Sequence, residues 1–423
     1  MKVLGKLRLP RLPCNFPNPG RNSTMILRLN PMDNFLYIDL MRLLFVADGR
    51  SPIAQNWIRY FSEKGAQTYL ASTFACVPDF RLDGFELLPV AFSSRAKKSD
   101  GVAHGSGGGL KLRSAVRHWL GPLTIPRASG RLRRLIRELK PDLVHALRIP
   151  YEGMLAADAY ADVPLVVSVW GNDFTLHAPS NWLMAHYTSW AMQVAEGLHA
   201  DCQRDIRLAK KWGYDPLRPT LVTPGNGGIR SDVFHRPEKP VEQPIVINPR
   251  GFRTYIRNDV FFQAIPRVLA VQPSARFLCV AMAGEPQALK TVRELGIERS
   301  VELLPAVSPA DMAATFRRAQ ILVSLGVHDG TPNTLLEGMA CGCLPVAGDL
   351  ESIREWIRHG KNGLLADPTD PNSVANAILE GLENKNLRRE AAGINQELIL
   401  ERAEYESCMS AAEHFYRRVI SAH

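Results

Sequence analysis

No run of about 18 or more apolar residues occurs in the 423-residue sequence, so it holds no apolar helix long enough to cross a bilayer. The longest apolar stretches, such as Pro164–Trp170, have the length of a core strand. Residues 1–40 lack the apolar core of a secretory signal. The 7 cysteines are odd in number and widely spaced. Only Cys341 and Cys343 lie close together, and a lone C-x-C is weak as a metal site. Free thiols in a reducing cytoplasm are the expectation. No G-x-G-x-x-G follows a strand: the loop Asp48–Pro52 has one glycine, and the cluster Gly105–Gly109 follows no strand. That removes the main argument for a dinucleotide oxidoreductase. No D-x-D run stands on a suitable loop, so no metal ligand is assigned.

The balance of 46% hydrophobic and 22% charged residues is that of a globular protein, and the length favours two domains. The formal net charge of +9 is concentrated. Residues 95–140 carry far more Lys and Arg than Asp and Glu, and Leu132–Arg137 has helical amphipathic spacing. Such a face suits an anionic partner, and an anionic membrane surface is preferred here to nucleic acid. Residues 1–40 are basic, rich in proline and poorly periodic. They are read as an extension, disordered or upstream of a true start at Met41.

From Met41, short apolar runs alternate with helical patterns. Leu43–Ala47, Thr68–Ala71, Leu143–Ala146, Leu165–Val169 and Thr220–Thr223 read as strands. Gln55–Lys64 and Tyr151–Tyr160 read as helices. The polar stretch His235–Pro244, with three prolines, reads as a linker. The alternation then restarts with strands at Ile245–Asn248, Phe277–Ala281, Val301–Leu304, Ile321–Ser324 and Leu344–Ala347. The expected fold is α/β: two tandem Rossmann-like, doubly wound domains, 41–234 and 245–395, facing a cleft. The C-terminal helical segment 396–423 is expected to reach back to the first domain. Ligands of such sheets bind beyond the carboxyl ends of the strands.

The segment His328–Ala347 carries the chemistry. Thr331 is a suitable N-cap, and Pro332 suits the first helical position. The helix then stops at Gly342. The N–H groups of Asn333, Thr334 and Leu335 would lack carbonyl partners and form an anion site fit for a diphosphate, with the Thr334 hydroxyl beside it. Asp329 and Glu337 flank this start, one suited to a donor sugar's hydroxyls and the other to a ribose.

The run Asp329–Glu337, continuing Glu-Gly-Met-Ala-Cys-Gly-Cys-Leu-Pro-Val, resembles the E-x7-E motif of glycosyltransferase family 4, retaining enzymes of GT-B fold. Here the first acid is Asp. Asp349–Ile357 and His359–Leu365 also resemble that family's pattern. The resemblance implies a basic pair on the donor diphosphate, for which Arg253 and Arg257 are chosen from the stretch Pro249–Asn258. Val169–Asp173 resembles the family's His-Gly-x-Asp, with Trp170 in place of His. Asn172 and Asp173 are therefore expected at the cleft, and Gly49 would bring backbone near the donor; His145 also ends a strand, but a lone histidine there reads first as structural.

The residues expected to act in catalysis are thus Asp329, Arg253, Arg257 and Asp173. Those expected to hold the donor are Gly330, Thr331, Asn333, Thr334, Leu335, Glu337 and Gly49. The implied activity is retaining, metal-independent hexosyl transfer from a UDP- or GDP-sugar to a glycan or lipid-linked acceptor. The place would be the cytoplasm, peripheral to the inner membrane face, with no cofactor beyond the nucleotide sugar. A non-catalytic sugar-nucleotide-binding protein and a GT-B sugar-nucleotide epimerase are the alternatives. A glycosidase would leave the anion-binding helix unexplained.

Overall fold

The computed structural model describes residues 41–91, 93 and 119–423. The extension 1–40 and residues 94–118, part of the basic region, lie outside the described residues.

Among the described residues, thirteen strands form two sheets, every pair within them parallel. The first sheet contains β1 (Arg42–Ala47), β2 (Gln67–Ser72), β3 (Gly84–Leu87), β4 (Leu143–Ala146), β5 (Leu165–Val169), β6 (Gly197–Ala200) and β7 (Thr220–Val222). The second contains β8 (Ile245–Asn248), β9 (Arg276–Cys279), β10 (Val301–Leu303), β11 (Ile321–Ser324), β12 (Leu344–Gly348) and β13 (Leu364–Ala366). The orders are β3-β2-β1-β4-β5-β6-β7 and β10-β9-β8-β11-β12-β13. Strands β4, β5, β6, β8, β11 and β12 are buried at every residue, because helices cover both faces. That is why they read as unbroken apolar runs. The edge strand β3 is exposed in part and carries Glu86, and the sequence reading had not assigned it.

In each sheet the winding direction reverses once, between β1 and β4 and between β8 and β11. Two adjacent crossovers leave their sheet in opposite directions there, so a crevice opens at the strand ends. The loops after β1, β4, β8 and β11 all border it.

The Pro52–Glu63 helix begins with proline at its first position, and the Ser51 hydroxyl accepts from Ala54 N at 3.4 Å. Its buried face presents Trp57, Ile58 and Phe61. The last helix, Tyr405–Ala422, covers this face although it follows the second sheet in sequence. Phe61 and Tyr416 stack with ring centroids 4.8 Å apart. Trp57 Nε1 donates to the Tyr416 hydroxyl at 2.8 Å, and Tyr60 donates to Glu413 at 2.7 Å. Burying an indole and a phenol here is tolerable because both polar ends are paired.

His145 belongs to this structural layer. Its Nδ1 meets the Tyr416 hydroxyl and its Nε2 meets Ser168 Oγ at 2.8 Å. Ser168 continues to His199, whose other nitrogen lies 3.1 Å from the Thr223 carbonyl. Burial pushes both imidazoles below their ordinary range, His199 to about 4. The network is closed within the core, so His145 does not face the cleft.

The helix expected over Tyr151–Tyr160 is shorter, Met154–Asp158. It is preceded by a turn in which Pro150 and Tyr151 leave helical geometry, Tyr151 with φ 71°. Among the described helices, none is long and apolar enough to cross a membrane.

Candidate active site in the cleft

The Asn333–Ala340 helix starts one residue later than its sequence suggests. Pro332 is the cap, with φ −65° and ψ 121°, and Gly342 ends the turn at φ +86°. Thr331 is not the N-cap. Its hydroxyl instead donates to the Asp201 carbonyl at 2.5 Å and accepts from Trp356 Nε1 at 2.9 Å. Long-range partners outcompeted the local cap. Leu335 N donates to the Pro332 carbonyl at 2.9 Å, so it does not offer the anion site that its position implied. Asn333 and Thr334 open the helix, ahead of its first backbone bonds.

A cavity of about 330 Å³ lies at this helix start. The first domain contributes Ile53, Arg148, Trp170, Gly171, Asn172, Asp201 and Gly225. The second contributes Arg250, Tyr255, Asp329 and Thr331 to Thr334. Four polar side-chain atoms on these residues are buried without a hydrogen-bond partner: Trp170 Nε1, Asp201 Oδ1, Asn333 Oδ1 and Thr334 Oγ1. Leaving each unpaired costs roughly 1–3 kcal/mol, and all four belong to residues of this one cavity wall. Two larger spaces, a groove of about 740 Å³ between the linker and residues 385–392 and one of about 750 Å³ beside Arg133 and Tyr160, are lined by no orphaned polar atom.

The basic residue that faces Asp329 is Arg250, not either of the two chosen from the sequence. Arg250 Nη1 lies 2.5 Å from Asp329 Oδ2, and Nη2 lies 3.5 Å from Oδ1. Arg253 is exposed, with its guanidinium on the Phe252 carbonyl, and Arg257 forks onto Asp259 at 2.8–2.9 Å. Neither lines the cavity. Arg250 lies two residues after β8, which fixes its place, whereas Arg253 and Thr254 lie at the surface before Tyr255 returns to the cavity wall.

Asp173 is corrected from catalytic to positioning. Its side chain is wholly buried. It accepts from Arg148 Nε at 3.1 Å, Ile149 N at 3.2 Å and Trp170 N at 3.1 Å, which ties the loop after β4 to the loop after β5. Gly49 lies off the cavity, its N–H on Ser72 Oγ at 3.1 Å. Glu337 also stands off the cavity wall, half-buried, and its carboxylate makes no hydrogen bond among the described residues. Burial pushes that carboxyl up to about 7.

The two domains close tightly beneath the cavity. A Cβ on Gly171 would lie 1.7 Å from Gly330 N, and one on Gly330 would lie 2.0 Å from Asp201 Oδ1. Only glycine permits this approach. Arg204, on the Gln203–Lys211 helix of the first domain, bridges the seam. It donates to the Asp329 carbonyl at 2.6 Å, the Gly171 carbonyl at 2.7 Å, Ser352 Oγ at 3.2 Å and Asp205 at 2.9 Å. Glu355 of the second domain accepts from Gln203 N and Arg204 N at 2.9 Å each, so it caps a helix of the first. Ser352, Glu355 and Trp356 thus buttress the site from the 349–357 segment.

Asp201, Cys202 and Asp205 offer three ligand atoms within 4.8 Å of one another. The Arg204 guanidinium already sits on Asp205, so a cation placed there would face a fixed positive charge. Burial raises Asp201, and it lifts Asp205 to about 6 against the opposing pull of Arg204.

Comparison with known proteins places this geometry. Residues 65–225 match the family model for glycosyl transferase 4-like domains, and residues 250–384 match that for group 1 glycosyl transferases. A D-inositol 3-phosphate glycosyltransferase of Thermobispora bispora is 26% identical over 213 residues, 46% of this chain and 49% of that protein. The match thus spans about half the length of that relative. A phosphatidyl-myo-inositol mannosyltransferase of Mycobacterium leprae is 24% identical over 67% of this chain and 87% of its own length. Among solved structures, the sucrose-phosphate synthase of Thermosynechococcus elongatus superposes with TM-score 0.70 at 14% identity, covering 90% of this chain and all of that one. Anabaena HepE in complex with UDP and glucose gives TM-score 0.64 at 16% identity, over 88% of this chain and 98% of its own. The architecture is the GT-B fold.

Proposed function

Because the two family models together cover more than half of a chain that therefore belongs to the family 4 glycosyltransferases, we propose that it is a retaining, metal-independent transferase moving a sugar from a nucleoside diphosphate to a glycan or lipid-linked acceptor. The observation that carries this is a cavity at a helix start, between two sheets, beside Arg250 and Asp329, whose wall residues include four with orphaned polar atoms. The N–H groups of Asn333 and Thr334, with Arg250, supply positive potential where a diphosphate leaves. They perform the electrostatic work that a cation would otherwise do. Asp329, already held by Arg250, accepts from hydroxyls of the transferred sugar.

In the reaction, the anomeric C–O bond to the diphosphate breaks and its electron pair stays with the phosphate oxygen. The acceptor hydroxyl oxygen bonds the anomeric carbon from the same face, and its proton passes to the departing oxygen. Arg204 and the Gly171–Gly330 contact keep the cleft shut, which limits transfer to water. The Anabaena complex favours UDP as the nucleotide. The relatives named for inositol phosphates favour an acceptor alcohol that bears phosphate.

A peripheral site at an anionic membrane face is supported by the Ile125–Leu139 helix. Arg127, Arg131, Arg134 and Arg137 are exposed along it, and Trp119, Leu120 and Leu123 are exposed just before it. Basic and apolar groups side by side suit a lipid interface.

The test is thermal stabilisation by UDP, GDP, ADP and their sugars, in chelator. A nucleotide at about 100 times its Kd should add about 2.7 kcal/mol to the stability. No shift with any of them would overturn the donor-site reading. Turnover of the bound donor separates the transferase from a sugar-nucleotide-binding protein without catalysis.

A further inference from the structure

Arg148 is the cation that the sequence reading did not single out and that the donor site does not use. It stands on the first-domain wall of the cavity, whereas Arg250 and the Asn333 helix start stand on the second. Its guanidinium is held on three sides. Nε donates to Asp173, and Nη2 lies 3.3 Å from Asn172 Oδ1 and 3.0 Å from His177 Nε2. The Trp170 ring lies beneath it at 5.7 Å. Its remaining terminal nitrogen, Nη1, makes no hydrogen bond among the described residues, and its side chain is 31% exposed.

The backbone here is built at a cost. Arg148 has φ 148° and Tyr151 has φ 71°, both rare for residues with a Cβ. Asp173 holds the strained stretch through Ile149 N, and Gly153 N donates to the Arg148 carbonyl at 2.8 Å. Strain maintained by several converging contacts is characteristic of a side chain aimed for use. The counter-charge, Asp173, is wholly buried behind the guanidinium, so it fixes the fork without covering its open edge.

We propose that Arg148 binds an acidic group, phosphate or carboxylate, carried by the acceptor. This rests on the transferase reading above. A donor diphosphate finds its cations on the second-domain wall. A fixed guanidinium on the opposite wall is placed to orient the second substrate, and a planar N–H edge suits an oxyanion better than a neutral hydroxyl. The acceptor's hydroxyl would then be presented across the cavity from the helix start.

The experiment uses the full chain saturated with UDP. Binding of myo-inositol 1-phosphate, glucuronate and unsubstituted myo-inositol is measured by calorimetry for the native protein and for Arg148→Gln. One or both acidic probes should bind at least about tenfold more tightly than myo-inositol, a difference of about 1.4 kcal/mol. Which of them binds distinguishes phosphate from carboxylate. Arg148→Gln should abolish that preference and leave the UDP Kd within about twofold. The double variant R148M/D173N leaves no buried carboxylate uncompensated and should give the same result if the single variant does not fold. Equal binding of charged and neutral probes overturns the inference. So does a parallel loss of UDP affinity in Arg148→Gln, which would put Arg148 on the donor. Failure of the native protein to bind UDP would instead overturn the transferase reading on which it rests.

Discussion

Arg204→Ala should cost about 3–5 kcal/mol, the range for a buried ion pair stripped of one partner. The Arg204 side chain is 8% exposed and that of Asp205 1%. Truncation removes a 2.8 Å ion pair and the charged donors to the carbonyls of Gly171 and Asp329. The Asp329 carbonyl retains Ser352 Oγ at 2.6 Å, so the Gly171 carbonyl is the more exposed to loss. The carboxylate dominates, and it can relieve the cost only by taking a proton. Asp205 already titrates at about 6 with Arg204 in place, and losing the cation pushes it higher. The penalty should therefore be greatest near pH 8, where ionisation is enforced, and shrink towards pH 5.5. For a domain of about 200 residues each kcal/mol moves Tm by about 2–4 °C, so a loss of roughly 6–20 °C is expected at pH 8. Urea unfolding followed by tryptophan fluorescence measures it, with Asp205→Asn and the double variant completing a cycle. The double variant should recover much of the loss. A loss below about 1 kcal/mol at pH 8, or a double variant no better than Arg204→Ala, would refute the claim that this pair is a desolvated clamp on the seam.

Arg250→Ala should weaken UDP binding by about 10–100-fold, as expected for a charged hydrogen-bonding partner, while Arg253→Ala changes it by less than about twofold; calorimetry on the two variants decides between them. Burial raises the Glu337 carboxyl to about 7 from 4.5, so the folded chain holds this proton longer than the unfolded one. Its stabilising contribution is present below the unfolded value and lost as pH rises through about 7. Glu337→Gln should flatten that part of the stability–pH curve. Gly171→Ala places a methyl within 1.7 Å of Gly330 N and should hold the cleft ajar, lowering kcat/KM by about a hundredfold or more while far-UV circular dichroism stays native. Cosedimentation with anionic vesicles should fall when Arg127, Arg131 and Arg134 are replaced together by Gln, with neutral vesicles showing little binding to either protein.

The α/β alternation and, to within one residue, the helix start were legible because each rests on neighbours in sequence. Apolar runs of strand length, proline caps and a glycine stop act over a turn or two, and the E-x7-E-like run sits on such a start. The same locality explains the small errors, such as Thr331, whose hydroxyl found Asp201 and Trp356 across the cleft instead of the helix below it.

The choice of arginine was of another kind. Arg250, Arg253 and Arg257 share one loop and equal chemistry. Asp329, 79 residues away, selects Arg250, and no local pattern encodes that distance. Asp173 reads as a free acid at a strand end until the turn after β4 folds over it and brings Arg148 and the Ile149 N–H. Arg148 itself was invisible, because its orientation depends on backbone strain that only those converging contacts sustain. Local propensity and periodicity therefore determined the layers, the strand ends and the helix start at the cleft. The tertiary fold decided which side chains face the cavity, because facing is settled by partners distant in sequence and by two glycines that let the domains meet.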